Sequence, residues 1–190
     1  MLDAGRVSKE LKEIERDQGS GVRIEVLGNN LQRLRGWVPG PKDTPYDGGL
    51  YEIEIILPNQ YPFEPPKMRF VTKVWHPNIS SQSGAICLDI LKDQWSPALT
   101  IKTAMLSLQA LLSSPQADDP QDAVVAKQYI SEREVFKRQA RHWTEAFALP
   151  KSSSEIVDRL IDMGFSKAAA EAALKASNGD ETAAMEKLLG

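Results

Sequence analysis

Between Val22 and Val71 the chain carries short apolar alternations joined by connections too brief for a crossover. Val22, Ile24 and Val26 alternate with Arg23 and Glu25, as in a strand buried on one face. Leu31 to Val38 reads as a second strand with poorer alternation. Tyr51, Ile53, Ile55 and Leu57 alternate with Glu52 and Glu54 and give the clearest strand, and Met68, Phe70 and Val71 suggest a short fourth. Pro39-Gly40-Pro41 and Asp47-Gly48-Gly49 are turn signals. Parallel pairing needs crossovers of roughly a dozen residues or more, so an antiparallel meander is expected.

Helices flank this sheet. Val7, Leu11 and Ile14 recur at helical spacing from Val7 to Arg16, and Gly19-Ser20-Gly21 ends that helix. Thr100 reads as an N-cap for a helix lined by Ile101, Met105, Leu108 and Leu112. Further helices are expected near 121–130 and 131–147, the last with an apolar stripe of Phe136, Ala140, Trp143 and Phe147. The fold class is therefore α+β, with an N-terminal helix, a four-stranded antiparallel sheet meander and C-terminal helices. A core over residues 1–149 and a linker over 150–154 precede a small three-helix domain over 155–190. Ile156, Leu160 and Ile161 mark its first helix, with Ser152 and Glu155 as a capping box. Ala169, Ala172 and Ala173 mark the second, and Ala184, Met185, Leu188 and Leu189 the third.

Cys87 is the single cysteine, so no internal disulfide can form. A reducing compartment is expected, the cytoplasm first and the nucleus as a further location. No run of 18 apolar residues occurs and the N-terminus has no apolar signal core, so no membrane association is expected. The net charge of −3 gives no electrostatic footprint for nucleic acid. Neither a metal nor a cofactor is expected.

The stretch from Trp75 to Pro97 lacks periodicity and contains Cys87. Long irregular segments inside a compact domain are usually functional. A thiol is mostly protonated at neutral pH, so a cysteine hydrolase needs a nearby base. His142 reads as a surface residue on a helix. His76 is followed by Pro77, which biases it to extended backbone, so His76 and Pro77 read as structural. Without a base, Cys87 can still accept an acyl group from an activated thioester, because thiol exchange is nearly balanced in free energy. Passing that group to an amine needs an oxyanion donor and an acceptor for the amine. Asn78 offers an amide of the type found in oxyanion holes. Asp89, Asp118 and Asp119 can attract an ammonium, although Asp118 and Asp119 could instead be a helix N-terminal cap pair, and one residue could do both.

His76-Pro77-Asn78, then Cys87-Leu88-Asp89-Ile90-Leu91, resembles the core of the ubiquitin-conjugating enzymes. Tyr61-Pro62-Phe63-Glu64-Pro65-Pro66-Lys67, Trp95-Ser96-Pro97-Ala98-Leu99 and Pro115-Gln116-Ala117-Asp118-Asp119-Pro120 follow in the expected order. The resemblance covers about residues 5–148. The tail, with Met163-Gly164-Phe165 and Leu188-Leu189, looks like a ubiquitin-associated domain. The combination is similar to the subgroup of the human 25-kDa huntingtin-interacting and yeast class II conjugating enzymes. In that group the tail binds ubiquitin and the core builds polyubiquitin chains.

The resemblance implies roles at matched positions only. Cys87 would hold ubiquitin as a thioester received from the activating enzyme in an ATP-dependent pathway. Asn78 would stabilise the oxyanion or the loop carrying Cys87. Asp119 would position or deprotonate the incoming lysine of a substrate or of another ubiquitin, and Asp89 would assist. Arg6, Pro62, Phe63, Ser96, Pro97 and Ala98 would meet ligases of RING type. Met163, Gly164, Phe165, Leu188 and Leu189 would bind ubiquitin non-covalently. Two residue-level alternatives stand beside these. Phe63 could be a packed loop aromatic, and Met163, Phe165 and Leu189 could be core. Gly5 departs from the family, which often has lysine there.

Overall fold

The computed structural model describes residues 1–190, which form two compact units, Met1–Leu149 and Pro150–Gly190. Helix α1 spans Ala4–Arg16, one turn earlier than its apolar spacing predicts, because the Asp3 carboxylate caps it by accepting from the Arg6 amide. Val7 and Ile14 face inward as expected, and between them Glu10 is also buried. Strands β1 (Arg23–Leu27), β2 (Asn30–Pro39), β3 (Leu50–Ile56) and β4 (Lys67–Phe70) pair antiparallel in chain order, the meander read from the sequence.

Alternation sets the two faces of this sheet. Tyr51, Ile53 and Ile55 of β3 are fully buried. Their neighbours Glu52 and Glu54 carry cross-strand ion pairs on the other face, Arg35 with Glu52 at 3.1 Å and Arg69 with Glu54. Val71 falls just beyond β4 and is exposed, so the fourth strand is shorter by that residue.

Helix α2 (Ile101–Ser113) lies against β2, with Ile101, Met105, Leu108 and Leu112 buried and Thr100 accepting from the Thr103 amide as its cap. The approach is close at Gly36, where a Cβ would stand 2.5 Å from the Met105 methyl. Helix α3 (Ala123–Ser131) and helix α4 (Arg133–Trp143) complete the unit, and α4 widens into a π turn over Thr144–Ala148.

That turn corrects the expected stripe. Phe136 and Ala140 are buried, but Trp143 is half-buried and Phe147 is exposed. An i→i+5 turn holds more residues than an α turn, so Thr144 and Ala148 take the inward positions. Thr144 then closes a buried hydrogen bond with the Tyr51 hydroxyl at 2.9 Å.

In the second unit α5 (Ser153–Asp162), α6 (Lys167–Ala176) and α7 (Glu181–Leu189) enclose Ile156, Val157, Leu160, Ala170, Ala173, Leu174 and Ala184. The Ser152–Glu155 capping box is present, and Ser153 and Ser154 already belong to α5. Two expected markers change. Ala172 is exposed and Ala170 and Leu174 face the core, because an alanine-rich segment has too little contrast to set its own phase. Ile161 is 37% exposed, and Val157 takes the inward place instead.

One turn connects the sheet to the irregular segment. Gly84 has φ +75°, and a Cβ there would lie 1.9 Å from the Phe70 carbonyl oxygen. Gly84→Ala is expected to destabilise the first unit by roughly 2–4 kcal/mol, combining backbone strain with a clash against backbone. All four tryptophans belong to this unit, so urea unfolding followed by tryptophan fluorescence reads it directly.

Candidate active site

The site grows from the turn His76-Pro77-Asn78. The His76 ring is fully buried. Its Nδ1 accepts from the Asn78 amide at 3.0 Å, which leaves Nε2 to donate to the Leu111 carbonyl at 2.9 Å. Burial lowers its pKa to about 4. Both nitrogens are thus committed to backbone groups, one of them within its own turn.

Pro77 and Asn78 hold a second segment, residues 116–122. The Pro77 carbonyl accepts from the Gln121 and Asp122 amides, each at 2.9 Å. The Asn78 side chain, 1% exposed, donates to the carbonyls of Gln116 at 2.9 Å and Asp119 at 3.0 Å and accepts from the Gln116 amide at 2.8 Å. Both amide hydrogens are therefore directed into the 116–119 loop. The side chain thus holds the 116–119 loop, which is not the loop carrying Cys87 named in the second role that the resemblance implies. The Asn78 carbonyl reaches the other way and accepts from the Cys87 amide at 2.9 Å.

Around Cys87 the backbone forms isolated bridges, Ile79 with Ile86 and Arg69 with Ala85. Ile86 and Leu88 are each 9% exposed and point into the core, so the residue between them faces outward. The Cys87 thiol donates to Asp119 Oδ2 at 3.3 Å, and Lys92 Nζ lies 3.8 Å from the sulfur. Partial burial raises the thiol pKa, the hydrogen bond to Asp119 raises it further, and the Lys92 ammonium opposes both.

Asp89 opens a 3-10 turn over Asp89–Leu91. Its carboxylate accepts from the Ile90 amide at 2.7 Å and its carbonyl from the Lys92 amide at 2.9 Å. Asp89 shapes the turn that brings Lys92 back to the thiol. Asp118 and Asp119 are both exposed, and neither caps a helix. The cap of α3 is Asp122, which accepts from the Val125 amide and from the Ser81 hydroxyl at 2.6 Å. Lys92, Gln116, Ser81 and Asp122 were not singled out in the sequence. Lys92 stands five residues beyond the cysteine, a spacing with no strand or helix period to flag it.

The surface expected to meet ligases divides. Phe63 is 77% exposed, which removes the packed alternative, and Ser96, Pro97 and Ala98 are exposed. Pro62 is buried and corrects the expectation that it contributes contact surface. The Phe63 amide bonds back to the Gln60 carbonyl at 2.7 Å, a turn that projects Phe63 and tucks Pro62 beneath it. Arg6 is half-buried, its guanidinium bonded to Glu10 and to the Leu99 carbonyl.

In the second unit Met163 is 53% and Leu189 71% exposed, whereas Phe165 and Leu188 are half-buried against the three-helix core. Gly164 has φ +101° with open space around its Cα, so backbone conformation rather than room favours glycine there. No helix is long and apolar enough to cross a membrane, and no group of three or more His, Cys, Asp or Glu side chains is arranged to hold a metal ion.

An outward thiol on an irregular strip, paired with a carboxylate from a neighbouring loop on this α+β scaffold, invites comparison with known families. Residues 6–144 match the family "Ubiquitin-conjugating enzyme", and residues 152–188 match "UBA/TS-N domain". The chain belongs to the ubiquitin-conjugating enzymes and carries a C-terminal ubiquitin-associated domain. Among curated relatives, ubiquitin-conjugating enzyme E2 27 of Arabidopsis thaliana is 60% identical over 99% of this chain and 98% of its own. Ubiquitin-conjugating enzyme E2 K of Homo sapiens is 49% identical, covering 97% and 96%. A solved Toxoplasma gondii ubiquitin conjugating enzyme E2 domain is 54% identical, with a TM-score of 0.73, over 76% of this chain and 97% of that one.

The groups flanking the sulfur act in opposite directions, so their removal should separate them. Asp119→Asn is expected to lower the pKa of Cys87, and Lys92→Ala to raise it. The pH dependence of Cys87 alkylation by iodoacetamide measures both midpoints. An unmoved midpoint in both variants would show that burial alone sets the thiol.

Proposed function

We propose that Cys87 accepts the C-terminal acyl group of ubiquitin from the activating enzyme and passes it to a lysine. The observation that carries this reading is the Cys87–Asp119 contact at 3.3 Å, with both nitrogens of His76 committed to backbone hydrogen bonds. A carboxylate beside a free thiol disfavours the thiolate, which is the wrong arrangement for a cysteine hydrolase. Once the sulfur is acylated it bears no charge and no proton, and Asp119 Oδ2 is released from its bond to the thiol. It then attracts a lysine ammonium and takes its proton. The amine nitrogen attacks the thioester carbonyl and the carbon–sulfur bond breaks; the departing thiolate takes the second proton shed by the nitrogen, which leaves a neutral amide and the Cys87 thiol, and Asp119 gives its proton to solvent.

Asn78 acts in this reading by holding the Asp119 loop against the strip that carries Cys87. Asp89 acts through the turn that places Lys92. The exposed Phe63 and Ser96–Ala98 form the surface for a RING-type ligase, with Arg6 bracing it. Met163, Gly164, Phe165 and Leu189, with Leu188 behind them, give the tail an apolar surface for non-covalent ubiquitin. A second ubiquitin held there suits the assembly of polyubiquitin chains. The proposed setting is the cytoplasm, with the nucleus as a further location.

Incubation with activating enzyme, ATP and ubiquitin is expected to give a reductant-labile adduct that Cys87→Ala abolishes. An adduct that persists in Cys87→Ala would sink the reading. In the same assay Asn78→Ala should still be loaded but should discharge to free lysine about 10–100-fold more slowly, as three hydrogen bonds that hold the loop are lost. The amide resonances of Gln116–Asp119 should move with it.

For the tail, ubiquitin titrated into full-length Cys87→Ala protein should shift amide resonances of Met163, Phe165 and Leu189. Combining Met163→Ala with Phe165→Ala should weaken that binding about tenfold. Shifts confined to the first unit would count against the tail as the non-covalent site.

A further inference from the structure

Glu10 is 5% exposed, and its carboxylate lies where three segments of the first unit meet. It accepts from Arg6 Nε at 2.8 Å, from the Tyr61 hydroxyl at 2.7 Å and from the Ile101 amide at 2.8 Å. The last donor is the first amide of α2, one of the N–H groups a helix leaves unpaired at its start. The helix dipole favours a carboxylate there. Arg6 continues the chain of bonds through Nη2 to the Leu99 carbonyl at 2.8 Å. A buried carboxylate persists only when its oxygens are met by donors, and Glu10 meets that requirement by drawing on distant parts of the chain.

The segments it draws together have one thing in common. Tyr61 stands two residues before the exposed Phe63, and Leu99 and Ile101 follow directly on the exposed Ser96–Ala98. A second tie links the same two loops, because the Trp95 indole donates to the Pro62 carbonyl at 2.8 Å while its ring lies 6.0 Å from that of Tyr61. Apolar packing could fill this space equally well. It would not fix the distance between the loops, whereas hydrogen bonds to one carboxylate are directional.

We propose that Glu10 is a positioning residue for ligase engagement, its carboxylate setting the spacing between Phe63 and the Ser96–Ala98 loop. The inference rests on the reading that these two loops receive a RING-type ligase. Glu10 touches neither the ligase nor the thiol; it acts through Tyr61, Arg6 and the first turn of α2.

Glu10→Gln tests this. The amide keeps the shape and one accepting oxygen but replaces the other with a donor, so the bonds from Arg6, Tyr61 and Ile101 cannot all survive. Full-length protein is loaded at Cys87 and the activating enzyme is quenched. Discharge to free lysine is then timed with and without a RING-domain fragment chosen because it accelerates the wild type. The ligase concentration for half-maximal acceleration is expected to rise about tenfold, the scale of one charge-assisted hydrogen bond, while unassisted discharge stays within about twofold of wild type. Tyr61→Phe should move the half-maximal concentration in the same direction by less. The amide resonances of Phe63 and Ala98 should shift in both variants.

Unchanged half-maximal concentrations in both variants would overturn the proposal, and so would equal slowing of assisted and unassisted discharge. Where Glu10→Gln does not fold, Tyr61→Phe decides the question by the same two numbers. Failure of the wild type to load, or undiminished stimulation of Phe63→Ala, strikes the underlying functional reading instead.

Discussion

The arrangement around the thiol depends on the Asn78 side chain and its own carbonyl. One residue reaches in two directions, to the 116–119 loop through its amide and to the Cys87 backbone through its carbonyl. Neither partner is held in a regular element. Residues 116–119 form no helix, and the strip near Cys87 is joined only by isolated bridges. A buried amide with every hydrogen-bonding group satisfied gives such segments the fixed geometry that strands and helices get from their ladders. His76 supports it from below by fixing the Asn78 amide. This scaffold brings the carboxylate within hydrogen-bond reach of the thiol, and that bond holds the sulfur in its protonated form.

In the function proposed above the sulfur is acylated while it works, and a neutral thioester does not suffer from the neighbouring carboxylate as a thiolate would. Lys92 and Asp119 bracket the sulfur with opposite charge. Asp119 is exposed and can meet an incoming amine from solvent. Its loop carbonyl stays bonded to Asn78 meanwhile, so the carboxylate can change partner without the loop moving.

Much of the fold was legible because the strands are amphipathic. Tyr51, Ile53 and Ile55 announced β3 and its inner face, and the short connections dictated antiparallel order. The helix phases were harder. Thr144 and Ala148 were missed because a π turn leaves no mark in a pattern read at an α-helical period. Ala170 was missed because its neighbours are alanines as well. At the site, Cys87 and Asn78 stood out as chemically capable residues in an aperiodic stretch and Asp119 as an acidic residue beyond it, and the structure brings the three together. Pro62 was misplaced because sequence shows that a residue lies in a loop without showing which side of the loop it faces. Lys92 and Glu10 were passed over for related reasons. One is delivered by a 3-10 turn, and the other is a charged residue on a helix face that ordinarily would be solvated.

The alternation of Ile86, Cys87 and Leu88 has a consequence for what this segment can tolerate. Direction here follows parity: even positions turn inward and the odd one turns out. Substitutions between Ser80 and Ala85 change side chains without changing that count. A one-residue slip of the strip itself would drive the sulfur into the core and push an isoleucine or leucine into water, as in any half-buried strand. The burial of Ile86 and Leu88 is therefore what keeps the sulfur turned out, and the turn from Ser80 to Gly84 has to absorb any change in its own length.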